Sequence, residues 1–343
     1  MCKNIFTLQS SILTLSYAER NLFMQEILEK YQIRKSNKQK TDFIIYLTNR
    51  LKDIGYSDED IHIEKRWKWI FKTRNVVVGN PETAKVILGA HYDTCAISPL
   101  PNMMFPMNMI LSLLYQFLFS FIIIGVGLLV EFFVGWMAFA KGWFDISGEG
   151  LIYAFQWTVT LIVVQIMIGF RNPHTANDNT SGTLTLIKTL EKISPEDRKN
   201  VCVVFFDNEE KGLFGSLFFK KAHQKVAKTI PMINIDCIGD GTDICLLSKN
   251  KSRKMKEYNC IIASFKNISE KYNNLNFVNG RLYPMACSSD QANFKKGMAL
   301  CATRKGLFGI HYASRIHTPL DTICKQENIE AASDFLTDIC TKI

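Results

Sequence analysis

The stretch "AKVILGAHYDT" (residues 84–94) decides the fold. Its first half is a short apolar run bounded by turn residues, of the kind buried on both faces of a sheet. Its second half places His91 and Asp93 at the end of that run. Working outward, "NVVVGN" (75–80), "NVCVVFFD" (200–207), "IPMINID" (230–236) and "MALCAT" (298–303) repeat the apolar pattern. Amphipathic helical stretches separate them: "TDFIIYLTNRLKDIGY" (41–56), "GTLTLIKTLEKI" (182–193), "FGSLFFKKAHQKVAK" (214–228), residues 254–272 and "NIEAASDFLTDICTKI" (328–343). Apolar strands alternating with such helices imply an α/β fold with a mostly parallel, mixed sheet covered on both faces. In sheets of this kind sites lie at the carboxyl ends of the strands. The acids fall there: Asp93 with His91, Glu209 with Glu210, and Asp236.

The 343 residues carry a net charge of +9, and the basic residues do not form one block. The densest run, "IRKSNKQK" with Arg34, Lys35, Lys38 and Lys40, reads as a solvated lead-in to a helix, so no nucleic-acid partner is expected. "KRWKWIFKTR" (65–74) alternates basic residues with Trp67, Trp69 and Phe71, which places the aromatics on one strand face. A second reading of that face is contact with lipid headgroups. The ten cysteines show neither CxxC nor metal-ligand spacing. The first twenty residues are too interrupted by Gln, Ser and Thr for a signal-peptide core. Both features point to a reducing, cytoplasmic setting for the bulk of the chain.

Singly, each polar motif has a plain reading. His91-x-Asp93 is a satisfied cap, the Glu209–Glu210 pair a helix N-terminus that favours negative charge, and "ANDNTSG" (176–182) a polar turn. Their coincidence at three strand ends, together with "RIHTPLDT" (315–322), is harder to explain. Three carboxylates and two histidines on one spot would repel without cations, and metal is the economical answer.

In order along the chain, "GAHYDT", "ANDNTSG", "DNEEKGLFGS", "NIDCIG" and "IHTPLDT" resemble the two-zinc aminopeptidase family. This is metallopeptidase family twenty-eight of clan MH, the family of bacterial leucine aminopeptidases and glutamate carboxypeptidase. The resemblance implies the phosphorylase/hydrolase-like zinc exopeptidase fold and two zinc ions per chain. It makes Asp178 the carboxylate shared by both metals, gives His91 and Asp236 to one zinc, and Glu210 and His317 to the other. It implies a peptide substrate hydrolysed by a zinc-activated water, with Glu209 as general base and Asp93 orienting His91. Two alternatives on the same fold are a one-zinc, glutaminyl-cyclase-like acyltransferase and a non-catalytic binding protein. "SSDQANF" (288–294) carries Gln291 where many relatives carry a histidine, which bears on the substrate pocket rather than the five ligands. His62 and His223 read as surface residues and His174 as structural. His311 yields to His317 because of the "HTPLDT" context.

An apolar segment separates His91 from Asp178. No charged side chain occurs from residue 94 to 130, nor from 151 to 170. The chain therefore divides into a first part of the peptidase-like domain (1–98), an insert (99–171) and the remainder (172–343). As helices, residues 107–130 would be about 36 Å long and residues 151–170 about 30 Å, enough for a bilayer core of roughly 30 Å. His91 and Asp178 must serve one site, so the chain must leave and return on the same side, and two crossings are the simplest even number. Pro99, Pro101 and Pro106 stiffen the approach, and Trp136 and Trp143 suit an interface. The connecting loop holds Lys141, Asp145 and Glu149, whereas Arg171 and most lysines lie on the other side. The expectation is a multi-pass membrane protein, partnered by the lipid bilayer, with its catalytic domain in the cytoplasm. A buried hairpin, a dimerisation arm and a shallow, non-spanning hairpin are the competing readings, and the oligomeric state stays open.

Overall fold

In a computed structural model, residues 23–68, 71–98, 100, 102–141, 148–283 and 285–343 are described. The N-terminal stretch 1–22, Trp69, Pro99, Pro101, Trp143 and Asp145 lie outside them. Strands β1 (Ile61–Lys68), β2 (Phe71–Val78), β3 (Val86–His91), β4 (Val201–Phe206), β5 (Met232–Ile235), β6 (Asp243–Ser248), β7 (Asn276–Arg281) and β8 (Gly297–Lys305) form one sheet. Its order is β1-β2-β4-β3-β5-β8-β6-β7, and a short β9 (His311–Tyr312) pairs with β8. The central strands β4, β3, β5 and β8 run parallel. β1, β2 and β6 join through antiparallel pairs, so the sheet is mixed, as the pattern implies.

The continuous apolar runs have a direct cause. Alternate residues of each central strand enter different cores. Leu88, Ala90, Val203, Phe205, Ile233 and Ile235 belong to one core. Ile87, Cys202, Val204, Phe206 and Met232 belong to the other. Helices α2 (Asn37–Asp53), α5 (Gly182–Lys192), α8 (Tyr258–Ser269) and α9 (Gln326–Lys342) cover the first. Helices α6 (Phe214–Ala222) and α7 (Gln224–Thr229) cover the second. Residues 23–30 form the described part of α1, which sets Phe23 and Ile27 into the first core. At Gly89 in β3, a Cβ would lie 2.6 Å from the Phe206 ring and 2.7 Å from Met232, so any side chain here would displace one or both from the core.

Between β3 and α5 the chain leaves the sheet as α3 (Met109–Lys141) and returns as α4 (Gly148–Ile168). Helix α3 runs eleven residues beyond the expected end at 130. The two helices pack on each other, Gly127 against Phe155 and Val159, and Gly135 against Leu151. Their other faces bury almost nothing: Phe121, Phe132, Phe139 and Trp157 are exposed by 65% or more. Both are long and apolar enough to cross a membrane, with mean hydropathy 2.6 and 1.9. Where the chain leaves and rejoins the sheet domain, Ile97 N–H donates to Phe170 O at 2.9 Å, and Ala96 pairs with Arg171.

Candidate metal centre

Three adjacent parallel strands aim at one point. His91 is the last residue of β3, Asp236 follows β5, and the turn after β4 carries Glu209 and Glu210. That turn is anchored from behind. Asp207 is paired with buried Lys40 and accepts from Arg74 N–H at 2.9 Å. Asn208 accepts from Lys40 Nζ at 2.7 Å and donates to Thr73 Oγ1 at 2.9 Å. Asp207 and Asn208 thus hold the loop to β2 and α2, and the two glutamates that follow are left to face the cavity. The segment is a bend and turn rather than strand.

Asp178 sits in the kinked turn Ala176–Ser181 that opens α5, and its peptide bond to Asn179 is cis. Asp321 fixes that turn, its carboxylate accepting from Asn177 N–H at 2.8 Å and from Asp178 N–H at 3.0 Å. Asn179 Oδ1 accepts from Gly182 N–H at 3.0 Å and from Cys237 N–H at 3.3 Å. A Cβ on Gly182 would lie 2.4 Å from that oxygen. His317 enters from the loop after β9 with a left-handed φ of 61°.

The side chains meet closely. His91 Nε2 lies 3.3 Å from Asp178 Oδ1 and 3.6 Å from Asp236 Oδ1. His317 Nε2 lies 3.0 Å from Asp178 Oδ2 and 3.4 Å from Glu210 Oε2. Asp178 therefore presents one oxygen to each imidazole. The ligand atoms of His91, Asp178 and Asp236 fall within 4.8 Å of one another, as do those of Cys95, Asp178, Glu210 and His317. His91 Nδ1 is 3.1 Å from the Asp93 carbonyl oxygen. A carbonyl only accepts, so Nδ1 carries a hydrogen and Nε2 is the nitrogen turned toward Asp178 and Asp236, the one a metal would take. The Asp93 carboxylate is farther from Nδ1, 3.7 Å, and accepts instead from Glu209 N–H at 2.9 Å. Asp93 therefore orients both His91 and the turn that carries Glu209.

The electrostatics call for cations. Burial raises Glu210 to about 8, and Asp178 adds to the effect. Burial likewise pushes Glu209 well above the usual carboxylate range, with Glu210 adding to it against the opposing pull of His91. Burial alone would lower His317, yet Glu210 and Asp178 raise it to about 9. Asp178 stays below the usual range because its bonds to His317 and His91 outweigh burial. Protons and imidazolium charges thus stand in for a metal's positive charge. Among the described residues, Glu210 Oε1 and Asp93 Oδ2 are buried with no hydrogen-bond partner. Two imidazoles whose Nε2 atoms a metal would take in place of protons, buried carboxylates and an orphaned Glu210 oxygen form a donor set that fits zinc.

Several contributors were not singled out in the sequence. Asp321 lies inside "HTPLDT" but looks like part of a turn until its two N–H partners are seen. Cys95 directly follows "HYDT", and its thiol joins the second ligand group. The basic run is not solvated throughout. Arg34 is 0% and Lys40 1% exposed. Arg34 donates to Tyr92 O, to Tyr31 O at 2.5 Å and to Thr180 Oγ1 at 3.1 Å. A charge run beside an acidic centre can be drawn inside by it, which overturns the solvated reading for these two residues. Gln291 is buried away from the cavity, bonded to Asn234 Nδ2 and Cys287 O, both at 2.9 Å. His311 pairs with Asp243 at 3.0 Å, His223 lies between Glu64 and Glu82, and His174 and His62 are exposed.

A mixed α/β sheet whose strand ends converge on buried carboxylates and histidines defines a metal-centred fold. Residues 164–338, just over half of the chain, match Peptidase family M28, and the chain belongs to that family. Asp178, Glu209, Glu210, Asp236 and His317 fall inside the matched stretch, and His91 and Asp93 precede it. Among curated proteins, none matches the sequence. Solved structures share the fold. A Zn-dependent exopeptidase from Parabacteroides distasonis is 13% identical with a TM-score of 0.57, covering 94% of this chain and 96% of that one. The Porphyromonas gingivalis glutaminyl cyclase is 15% identical with a TM-score of 0.56 and the same coverage. The Legionella pneumophila LapA aminopeptidase is 13% identical with a TM-score of 0.53, covering 94% of this chain and 68% of that one.

Proposed function

We propose that this chain is a membrane-anchored exopeptidase that holds two zinc ions and removes N-terminal residues from peptides. One observation carries the reading: Asp178 offers Oδ1 to His91 and Oδ2 to His317, the arrangement of a carboxylate shared between two cations. His91 and Asp236 then complete one zinc position, and Glu210 and His317 the other. Zinc, when bound, supplies a Lewis acid that polarises a carbonyl and acidifies water. Glu209 carries the protons. Its carboxyl lines the same cavity of about 600 Å³ as the five ligands, where it can accept a proton and release it to the leaving amine. Asp93 holds His91 and the Glu209 backbone in register. Asp321 fixes the peptide from which Asp178 projects.

Residues 99–171 are the anchor inserted between 1–98 and 172–343, with two spans and the catalytic part on the cytoplasmic side. The length and hydropathy of α3 and α4, and their exposed aromatic side chains, support the two spans, and the basic residues outside the connecting loop support the orientation. A one-zinc glutaminyl-cyclase-like acyltransferase is the second reading, favoured by the equal likeness of the P. gingivalis cyclase.

Metal content of the detergent-purified chain, measured with hydrolysis of a panel of aminoacyl-p-nitroanilides, tests the proposal. Close to two metals per chain with chelator-sensitive release of nitroaniline is expected. One metal with cyclisation of N-terminal glutamine would replace the peptidase by the cyclase. No bound metal and no turnover after added zinc would overturn both.

A further inference from the structure

The opening turns of α3 are unevenly polar. Between residues 109 and 128 the polar side chains are Ser112, Tyr115, Gln116 and Ser120. With Phe119 they recur at i, i+3, i+4, i+7 and i+8, which is one helical face. All five line the cavity that holds the metal ligands and Glu209. The opposite face, with Leu114, Phe117, Leu118 and Phe121, is exposed and wholly apolar. The helix entering the apolar layer is therefore also a wall of the catalytic cavity.

The pairing of α3 with α4 sets the depth of that wall. Gly127 lies against Phe155 and Val159, and Gly135 against Leu151. Continued along two antiparallel helices, this register brings the end of α4, at Ile168, level with about residue 117 of α3. The paired length, to about residue 137, is about 30 Å, the thickness of a bilayer core. Residues 109–116 rise about 12 Å further toward the sheet domain, through the headgroup layer. The stripe 112–120 thus begins among headgroups and ends at the edge of the hydrocarbon. Ile166 of α4, level with Phe119, lines the cavity there, and Met103, Met104 and Met285 complete an apolar rim. Ser112 Oγ donates to Phe105 O at 3.0 Å, Gln116 Nε2 to Met285 O at 3.1 Å and Ser120 Oγ to Gln116 O at 2.9 Å. Those bonds use the Ser112 and Ser120 hydroxyl hydrogens and one of the two Gln116 amide hydrogens, and the Ser112, Gln116 and Ser120 side-chain oxygens can accept from peptide N–H groups.

We propose that the substrate is a peptide tethered in the bilayer, whose free terminus reaches the metal centre along this face of α3. The inference rests on the exopeptidase reading and names its substrate class. A terminus emerging from the same leaflet meets the polar stripe at its own depth, and the apolar rim accommodates the segment that stays behind.

The test uses the full chain with zinc in phosphatidylcholine vesicles. Two short peptides share one N-terminal residue, chosen from the best p-nitroanilide, and differ only in a C-terminal hexadecylamide. Partitioning of the lipidated peptide is the same for every variant, so variants report on the path. Ser120→Trp, at the outer end of the stripe, is expected to lower kcat/KM for the hexadecylamide at least tenfold more than for the plain peptide. Leu118→Trp, on the exposed opposite face of α3, is expected to spare both. Equal losses for the two peptides, or none, would overturn the proposal while leaving the peptidase intact. A readout independent of turnover is photocrosslinking of the hexadecylamide to a benzophenone amino acid placed at Phe119 in the Glu209→Gln protein. Crosslinking in vesicles supports the path, and its absence sinks it. If neither peptide is hydrolysed with metal bound, the peptidase reading itself fails, and the crosslink alone decides whether tethered peptides bind.

Discussion

At the scale of single residues, the proposal gives Glu209 a proton to move rather than a zinc to hold. Glu209→Gln keeps the shape and loses the acid–base capacity. Turnover is expected to fall on the order of 10²–10⁴-fold, with metal content unchanged; near wild-type hydrolysis would remove it from the mechanism. Asp321 touches no proposed ligand side chain, yet both of its bonds go to the backbone that projects Asp178. Asp321→Ala should weaken zinc about 10–100-fold, the usual effect of removing such a support, and a chelator-competition titration reads it directly. The residues proposed as ligands were legible because each ends a strand or sits in a motif of its own. Asp321, Lys40 and Arg34 were not, because their roles depend on partners that are 58 or more residues distant in the chain.

At the scale of elements, the loop after β4 depends on α2. Lys40 and Asp207 are both buried, and removing one partner strands the other's charge. Lys40→Met should cost about 3–5 kcal/mol, measured by thermal unfolding, and adding Asp207→Asn should recover part of it. A second clamp, in which His223 bonds Glu64 of β1 at 2.7 Å and Glu82 at 3.0 Å, joins α6 to the sheet edge. These bonds raise His223 above its ordinary value despite partial burial. Protonation therefore favours the folded state. The stabilisation is complete below about pH 6.5, the unfolded value, and fades as pH climbs through the raised folded value. His223→Gln should lower the melting temperature most at pH 6 and progressively less above it. Strands β6 and β7 escaped the sequence reading for different reasons. β6 follows closely on a Gly- and Asp-rich turn, and β7 is an edge strand whose alternation, "NFVNGR", is half polar. The end of α3 was set too early because its Glu131 looks like a boundary, although the helix continues through it.

At the scale of the molecule, the apolar segment and the metal centre share one cavity wall. Replacing residues 109–168 by a short flexible linker keeps the Ala96–Arg171 and Met104–Ala313 bridges. The product is expected to stay monodisperse without detergent and to bind zinc, while losing any preference for lipidated peptides. Gel filtration with metal analysis checks the first part. The central apolar strands and their helix cover follow from patterning that can be read locally, but the order of the strands in the sheet does not. The depth of the cavity against α3 cannot be, because it depends on how two helices register through Gly127 and Gly135.

The closure at Ala96 and Arg171 also bears on ancestry. The chain exits and re-enters at neighbouring points, so the ligand-bearing turns on either side are already joined before the long excursion begins. A genetic insertion at that seam adds a hydrophobic excursion in a single event, with no rearrangement of the older parts. On the anchor proposed above, that seam is where a membrane segment can be gained or lost without disturbing the sheet.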